Sequence, residues 1–184
     1  MYVPEDFPSP SDPRHGSAVA ALVANAAMSL GGRTLVLTTT LRAIAVIAQV
    51  LRQQLAQRGS HLDVLAQGEW PKLRLMERFR AGAGPQGGCI LVASASFWEG
   101  FDVPGDALQL VVIDKLPFPP PGDPLVEART LQIEQSGGSA FKEYALAEAA
   151  VALKQGAGRL IRHESDRGVL VVCDSRLVRM GYGK

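Results

Sequence analysis

The chain has 184 residues, 47% of them apolar, which is one domain's length with material for one sizeable core. Charged residues are only 20%, and the 19 Lys plus Arg nearly cancel the 18 Asp plus Glu, which excludes a disordered polyelectrolyte and a surface that binds polyanions everywhere. No run approaches the ~18 apolar residues of a membrane span, and Met1 to Arg14 holds prolines and acids where an export signal needs a basic start and an apolar stretch. A soluble, cytoplasmic chain is expected.

Taken in order, residues 1 to 16 contain Pro4, Pro8, Pro10 and Pro13, each lacking a backbone donor, so an extended arm or linker is expected there and the domain over 17–184. Ser17 to Leu30 is Ala-rich at helical spacing and stops at Gly31-Gly32. The run TLVLT at 34 to 38 reads as a strand. Leu41 to Arg58 repeats apolar residues every three or four positions, with Thr40 as N-cap and Gly59 past the end. HLDVLA at 61 to 66 is a further strand, and Pro71 to Arg80 a helix with Pro at its first turn.

CILVA at 89 to 93, LQLVVI at 108 to 113 and VLVVC at 169 to 173 complete the strands, and Ser139 to about Arg162 reads as a long Ala-rich helix. The strand runs do not alternate with polar residues, as expected for strands covered on both faces. Strands and helices in alternation specify an α/β fold with a mostly parallel sheet between helical layers. Cys89 and Cys173 lie inside two of these runs, with no CxxC pair and no suitably spaced histidine, so buried core thiols and no metal site are expected.

Chemistry in parallel sheets gathers at the carboxyl ends of the strands. The residues there are Thr38-Thr39-Thr40, Gln67-Gly68, the stretch Ser94-Ala95-Ser96-Phe97-Trp98-Glu99-Gly100-Phe101-Asp102, and Asp114-Lys115 followed by LPFPPP. Turn chemistry alone also favours such residues. Near the end of the long helix, Gln155, Arg159 and Arg162 stand at i, i+4 and i+7 and would share one face, with Gly156 and Gly158 weakening the helix by about 1 kcal/mol each. Fixed guanidinium groups beside a cleft suit a phosphate or carboxylate, although a solvated helix end fits the spacing too. The glycine-rich stretch from Gly82 to Cys89 lacks the Lys and Ser/Thr of a phosphate loop and precedes a strand, so the chain alone is not expected to hydrolyse a nucleotide.

In order, LVLTTTL, VLAQG, SASFWEGFDVPGDAL, DKLPFPPPGDP and QGAGRLIR resemble the second motor domain of the DinG/XPD-type superfamily two helicases. The resemblance covers nearly the whole chain. It implies a RecA-like three-layer domain that faces a partner RecA-like domain, the N-terminal helicase domain of the same protein, across an ATP and Mg²⁺ site and carries part of a single-strand DNA groove. It implies Arg159 and Arg162 as arginine fingers, with Gln155, Gly158, Glu99, Gly100 and Asp102 at the nucleotide. Thr38, Thr39, Thr40, Gln67, Ser94, Ser96 and Trp98 would face DNA. The Walker A element and the four cysteines of the family's iron–sulfur cluster would lie in an upstream portion, so the chain reads as a fragment, and a monomer. Two rivals stay open: a hydrolase or transferase using Asp102 and Asp114, and a flavodoxin-like module whose arginines bind an anion.

Overall fold

The computed structural model describes residues 1–82, 88–94, 97, 108–161 and 166–183. Strands β1 (Thr34–Thr38), β2 (Asp63–Ala66), β3 (Cys89–Ser94), β4 (Leu110–Ile113) and β5 (Val169–Val172) form one sheet in the order β2-β3-β1-β4-β5. Every pairing is parallel. All residues of β1, β3 and β4 are buried, the state their unbroken Val, Ile and Leu runs predict.

Helices cover both faces. On one, α1 (His15–Ser29) and α2 (Leu41–Gln57) press Val19, Val23, Ile47 and Leu51 against Val36, Ile90, Val92 and Val112. On the other, α3 (Lys72–Ala81) buries Leu75, Met76 and Phe79, and the Cys89 Sγ meets the Phe79 carbonyl at 3.7 Å. Burying each large side chain contributes roughly 1.5–3 kcal/mol. At the amino ends of the strands Gly32 adopts φ +89°, and a Cβ there would lie 2.6 Å from the Gly88 Cα.

The arm at the N-terminus docks along the sheet. Tyr2 donates its N–H to the Leu170 carbonyl at 2.8 Å and accepts from the Val172 N–H at 3.0 Å, extending the order beyond β5. Arg179 donates to the Glu5 carbonyl at 2.6 Å. Helix α1 begins at His15, two residues before the expected Ser17, because Asp12 first organises the turn, accepting the Arg14 N–H at 2.8 Å.

Internal contacts divide the chain into a sheet unit, Met1–Lys115 with Gly156–Lys184, and a helical unit, Leu116–Gln155. The helical unit holds a helix the periodicity did not predict, α4 (Pro124–Gln135). Asp123 caps it, accepting the N–H groups of Leu125 at 2.8 Å and Val126 at 3.3 Å, with Pro124 at the first helical position.

The expected long helix is corrected. Residues Phe141–Ala145 form a π-helical turn, α5 runs from Leu146 to Ala157, and Gly158 to Leu160 are a turn. Gly156 and Gly158 are the reason: the last bonds tighten to Arg159 N–H on the Gly156 carbonyl at 3.3 Å and Leu160 N–H on the Ala157 carbonyl at 3.0 Å. Gln155 is therefore the last of the motif's polar side chains on the helix, Arg159 stands in the turn after it, and Arg162 lies outside the described residues. A short helix α6 (Arg176–Arg179) follows β5. Among the described residues no helix is long and apolar enough to cross a membrane.

Candidate functional site

The strand order places the carboxyl ends of β2, β3, β1, β4 and β5 in a row, so residues far apart in sequence become neighbours. At the end of β1, Thr38 is buried and donates its hydroxyl to the Thr40 carbonyl at 3.0 Å. Thr40 has extended backbone and accepts the Ala43 N–H at 3.3 Å, capping α2. Thr39 lies between them, half-buried, and its hydroxyl has no hydrogen-bond partner among the described residues. The amino end of α2 therefore points its unsatisfied N–H groups and positive dipole end out of the β1 terminus.

One step along, Gln67 joins two strands. Its Oε1 accepts both the N–H of Ser94 at 2.8 Å and the Ser94 hydroxyl at 2.9 Å, so the ends of β2 and β3 are clipped together. Ser96, Trp98, Glu99, Gly100 and Asp102 lie outside the described residues, as do residues 83–87 of the glycine-rich stretch.

At the end of β4, Asp114 is 2% exposed and accepts the Lys115 N–H at 2.7 Å. Burial pushes its carboxyl up to about 6, against the pull of the Lys115 charge, nearby N–H groups and His15. The folded value lies above the ordinary 3.8, so this group's stability contribution is complete below about pH 4 and is lost as pH rises through 6. A shift of this size corresponds to about 3 kcal/mol. Asp114→Asn keeps the acceptor and removes the charge, and it is expected to stabilise the chain at pH 8, with the advantage shrinking toward pH 5. Urea unfolding at the two pH values checks this, and an advantage as large at pH 5 as at pH 8, or a loss of stability at pH 8, refutes it.

The same burial speaks against Asp114 as a hydrolytic catalyst, since it faces protein and not solvent. Beside it, Cys173 is pushed up to about 12, first by burial and then by the Asp114 and Asp174 carboxylates, so it stays a neutral thiol. Both cysteines are buried and outside any disulfide, as the apolar runs predicted. Asp174 is fully buried at the end of β5 and holds Arg176 through two close contacts, 2.9 Å to Nε and 2.6 Å to Nη2.

Sequence reasoning assigned no role to His15. Its Nδ1 hydrogen-bonds the Pro8 carbonyl and its Nε2 the Asp114 carbonyl, both at 2.9 Å, with the Phe7 ring edge-on at 5.6 Å. It ties the arm to the β4 terminus. A separation of 99 residues between the partners leaves no sequence signal for it.

Of the arginine motif, Gln155 is exposed on α5 in the helical unit, Gly158 is exposed in the turn that follows, and Arg159 is half-buried in that turn in the sheet unit. Arg162 lies outside the described residues. Among the described residues no group of His, Cys, Asp and Glu is placed to hold a metal ion.

Comparison with known proteins gives one consistent answer. A family model described as helicase C-terminal domain matches residues 23–184. The ATP-dependent DNA helicase YoaA of Escherichia coli is 42% identical over 183 residues, all of this chain and 27% of that protein. The ATP-dependent helicase DinG of Mycobacterium tuberculosis is 39% identical over 185 aligned residues, again all of this chain and 26% of the relative. The chain thus spans about a quarter of the curated relatives it matches. Among solved structures, Xpd4 of S. tokodaii superposes with a TM-score of 0.64 at 15% identity, over 97% of this chain and 34% of that one.

Proposed function

Because this chain belongs to the helicase C-terminal domain family, we propose that it is the second motor domain of an ATP-dependent DNA helicase. The observation that carries this reading is 42% identity to a DNA helicase along the whole chain, the matched region including Gln155, Gly158, Arg159 and Arg162. In this reading residues 17–184 face a RecA-like domain of the same protein that precedes them, residues 1–16 are the connecting arm, and the protein works as a cytoplasmic monomer.

ATP with Mg²⁺ supplies the phosphoryl transfer that drives the cycle, held mainly by the preceding domain, since the stretch at 82–89 has no Lys or Ser/Thr for phosphate and metal. The residues here suit the remaining task. Arg159, carried on a tight turn, and Arg162 present planar forks that match phosphate oxygens. They neutralise the transferring phosphoryl group when the domains close. Gln155 positions the nucleotide, Gly158 allows close backbone approach, and Glu99, Gly100 and Asp102 lie beside the ribose or orient the arginines.

The strand ends suit a DNA backbone read without regard to sequence. The α2 amino end attracts phosphate, the buried Thr39 hydroxyl has no partner among the described residues, and Gln67 retains an amide group after serving Ser94. Thr38, Thr40, Ser96 and Trp98 complete this face. The family's iron–sulfur cluster does not fit here: Cys173 belongs to the face covered by α1 and α2, whereas Cys89 points to α3 on the other.

Two outcomes test the reading. The chain alone is expected to show no ATPase above background, and adding the separately purified preceding domain is expected to restore DNA-stimulated hydrolysis. Sustained turnover by the chain alone, or silence of the mixture under conditions where both parts are folded, refutes it. Binding of single strands by the chain alone is expected to be weak and to fall steeply with salt, since the net charge is only +1. A nanomolar, sequence-selective complex at physiological salt contradicts that expectation.

A further inference from the structure

The ends of β1, β3 and β2 lie side by side, and at ~4.8 Å per strand the polar row from Thr40 through Ser94 to Gln67 spans roughly 10 Å. The row does not stop at Gln67. The chain turns through Gly68, φ +99°, and arrives at Trp70 just before α3. The Trp70 side chain is left 37% exposed. The Arg74 guanidinium carbon sits 4.1 Å from its ring centroid and that of Arg78 5.6 Å.

The charge around the ring is one-sided. The nearby acids are already matched, Glu69 by Arg52 at 2.7 Å and Asp63 by Arg78 at 2.8 Å. Arg74 makes no ion pair among the described residues, its recorded partner being the indole. Helix α3 carries Lys72, Arg74, Arg78 and Arg80 against the single acid Glu77. Of these, Arg74 and Arg78 stand at the indole, whereas Lys72 lies over the Phe97 ring at 5.3 Å, so the cationic groups at Trp70 are the two guanidiniums.

We propose that Trp70, with Arg74 stacked upon it, is a platform for an unpaired base of single-stranded DNA at the β2 border of the groove. The inference rests on the DNA reading above and adds a residue that reading does not use. Every base has a π-face, so stacking on an indole is tolerant of sequence, which a motor requires. Arg74 holds the ring in place before the strand arrives and offers its charge to the adjoining phosphate. A tryptophan that only sealed the start of α3 has no need of exposure or of an unmatched guanidinium on its face.

The test is fluorescence anisotropy of the chain with a labelled oligothymidylate and with an abasic oligonucleotide of equal length at low salt. Trp70→Leu, which keeps apolar bulk without the ring, is expected to weaken thymidylate binding about 10-fold and to leave abasic binding unchanged. Trp70→Phe is expected to recover most of the loss, and Arg74→Gln to lower the salt slope by about one for both oligonucleotides. Unchanged thymidylate binding by Trp70→Leu overturns the platform, and so does an equal loss on both oligonucleotides. If Trp70→Leu does not fold, Trp70→Met, which also lacks the ring, takes its place under the same criteria, and an unaltered salt slope for Arg74→Gln overturns the platform as well. Failure of the unsubstituted chain to bind either oligonucleotide overturns the DNA reading as well, whereas binding indifferent to Trp70 removes the platform alone.

Discussion

If the proposed reading holds, Arg162→Ala in the full-length protein is expected to lower ATP turnover by about 10³-fold or more, the scale on which arginine fingers act in phosphoryl transfer. Single-strand affinity is expected to survive, because this side chain is assigned to the nucleotide and not to the strand ends. Arg162→Lys is expected to rescue little, since an ammonium keeps the charge and loses the planar fork. Arg159→Ala is the companion measurement, made at a residue held in the turn that closes α5. A solvated surface arginine behaves otherwise: its replacement leaves turnover near normal and changes stability by no more than roughly 0.5 kcal/mol. Steady-state ATPase, strand affinity and thermal unfolding of one variant separate the two, and normal turnover removes the finger.

A second large effect is expected at the amino ends of the strands. Gly31 and Gly32 both have positive φ, +73° and +89°, but only Gly32 is pressed against another backbone, with Gly88 atoms 2.6 to 2.9 Å from where a Cβ would stand. Gly31→Ala meets nothing within 4 Å and is expected to cost about 1 kcal/mol in backbone strain. Gly32→Ala adds a clash between two main chains that no side-chain rotation relieves, and is expected to cost more than about 3 kcal/mol. Equal destabilisation of the two variants in denaturant titrations refutes the close approach. Because these glycines sit at the amino ends of β1 and β3, the loss belongs to folding, whereas the Arg162 loss belongs to chemistry.

Much of the architecture was legible in the residues because double-sided burial leaves a simple mark. TLVLT, CILVA and LVVI contain almost nothing polar between their ends, the mark of a strand covered on both faces, and VLVVC carries the same run although Val169 at its start is exposed. Helix α2 was equally plain, with Thr40 and Gly59 marking its two ends. Helix α4 was missed because none of its residues is buried, so no apolar stripe announces it. Its one local signal, Asp123 before Pro124, sits in a proline cluster that reads first as a stiff loop. The long helix was overextended because Ala-rich periodicity continues to Leu153 while the two glycines that end it lie just beyond. The site followed the same division. Strand ends were identifiable from the parallel sheet alone, but the Gln67 clip on Ser94 and the His15 tie to Asp114 join segments that only the strand order brings together.

The docked arm has a bearing on what the border of the sheet can pair with. A border strand of a sheet offers its bare N–H and C=O groups to any passing polypeptide, and β5 is such a strand. Here Tyr2 occupies the Leu170 carbonyl and the Val172 N–H, so the chain's own first residues fill that vacancy. The new outer rim is a poor template in turn, since Pro4 and Pro8 have no N–H to donate and Glu5 and Asp6 repel acidic neighbours. The proline-rich segment that looks like mere tether is thus also a terminator of the ladder, closing off one route by which copies of a parallel sheet stack into aggregates.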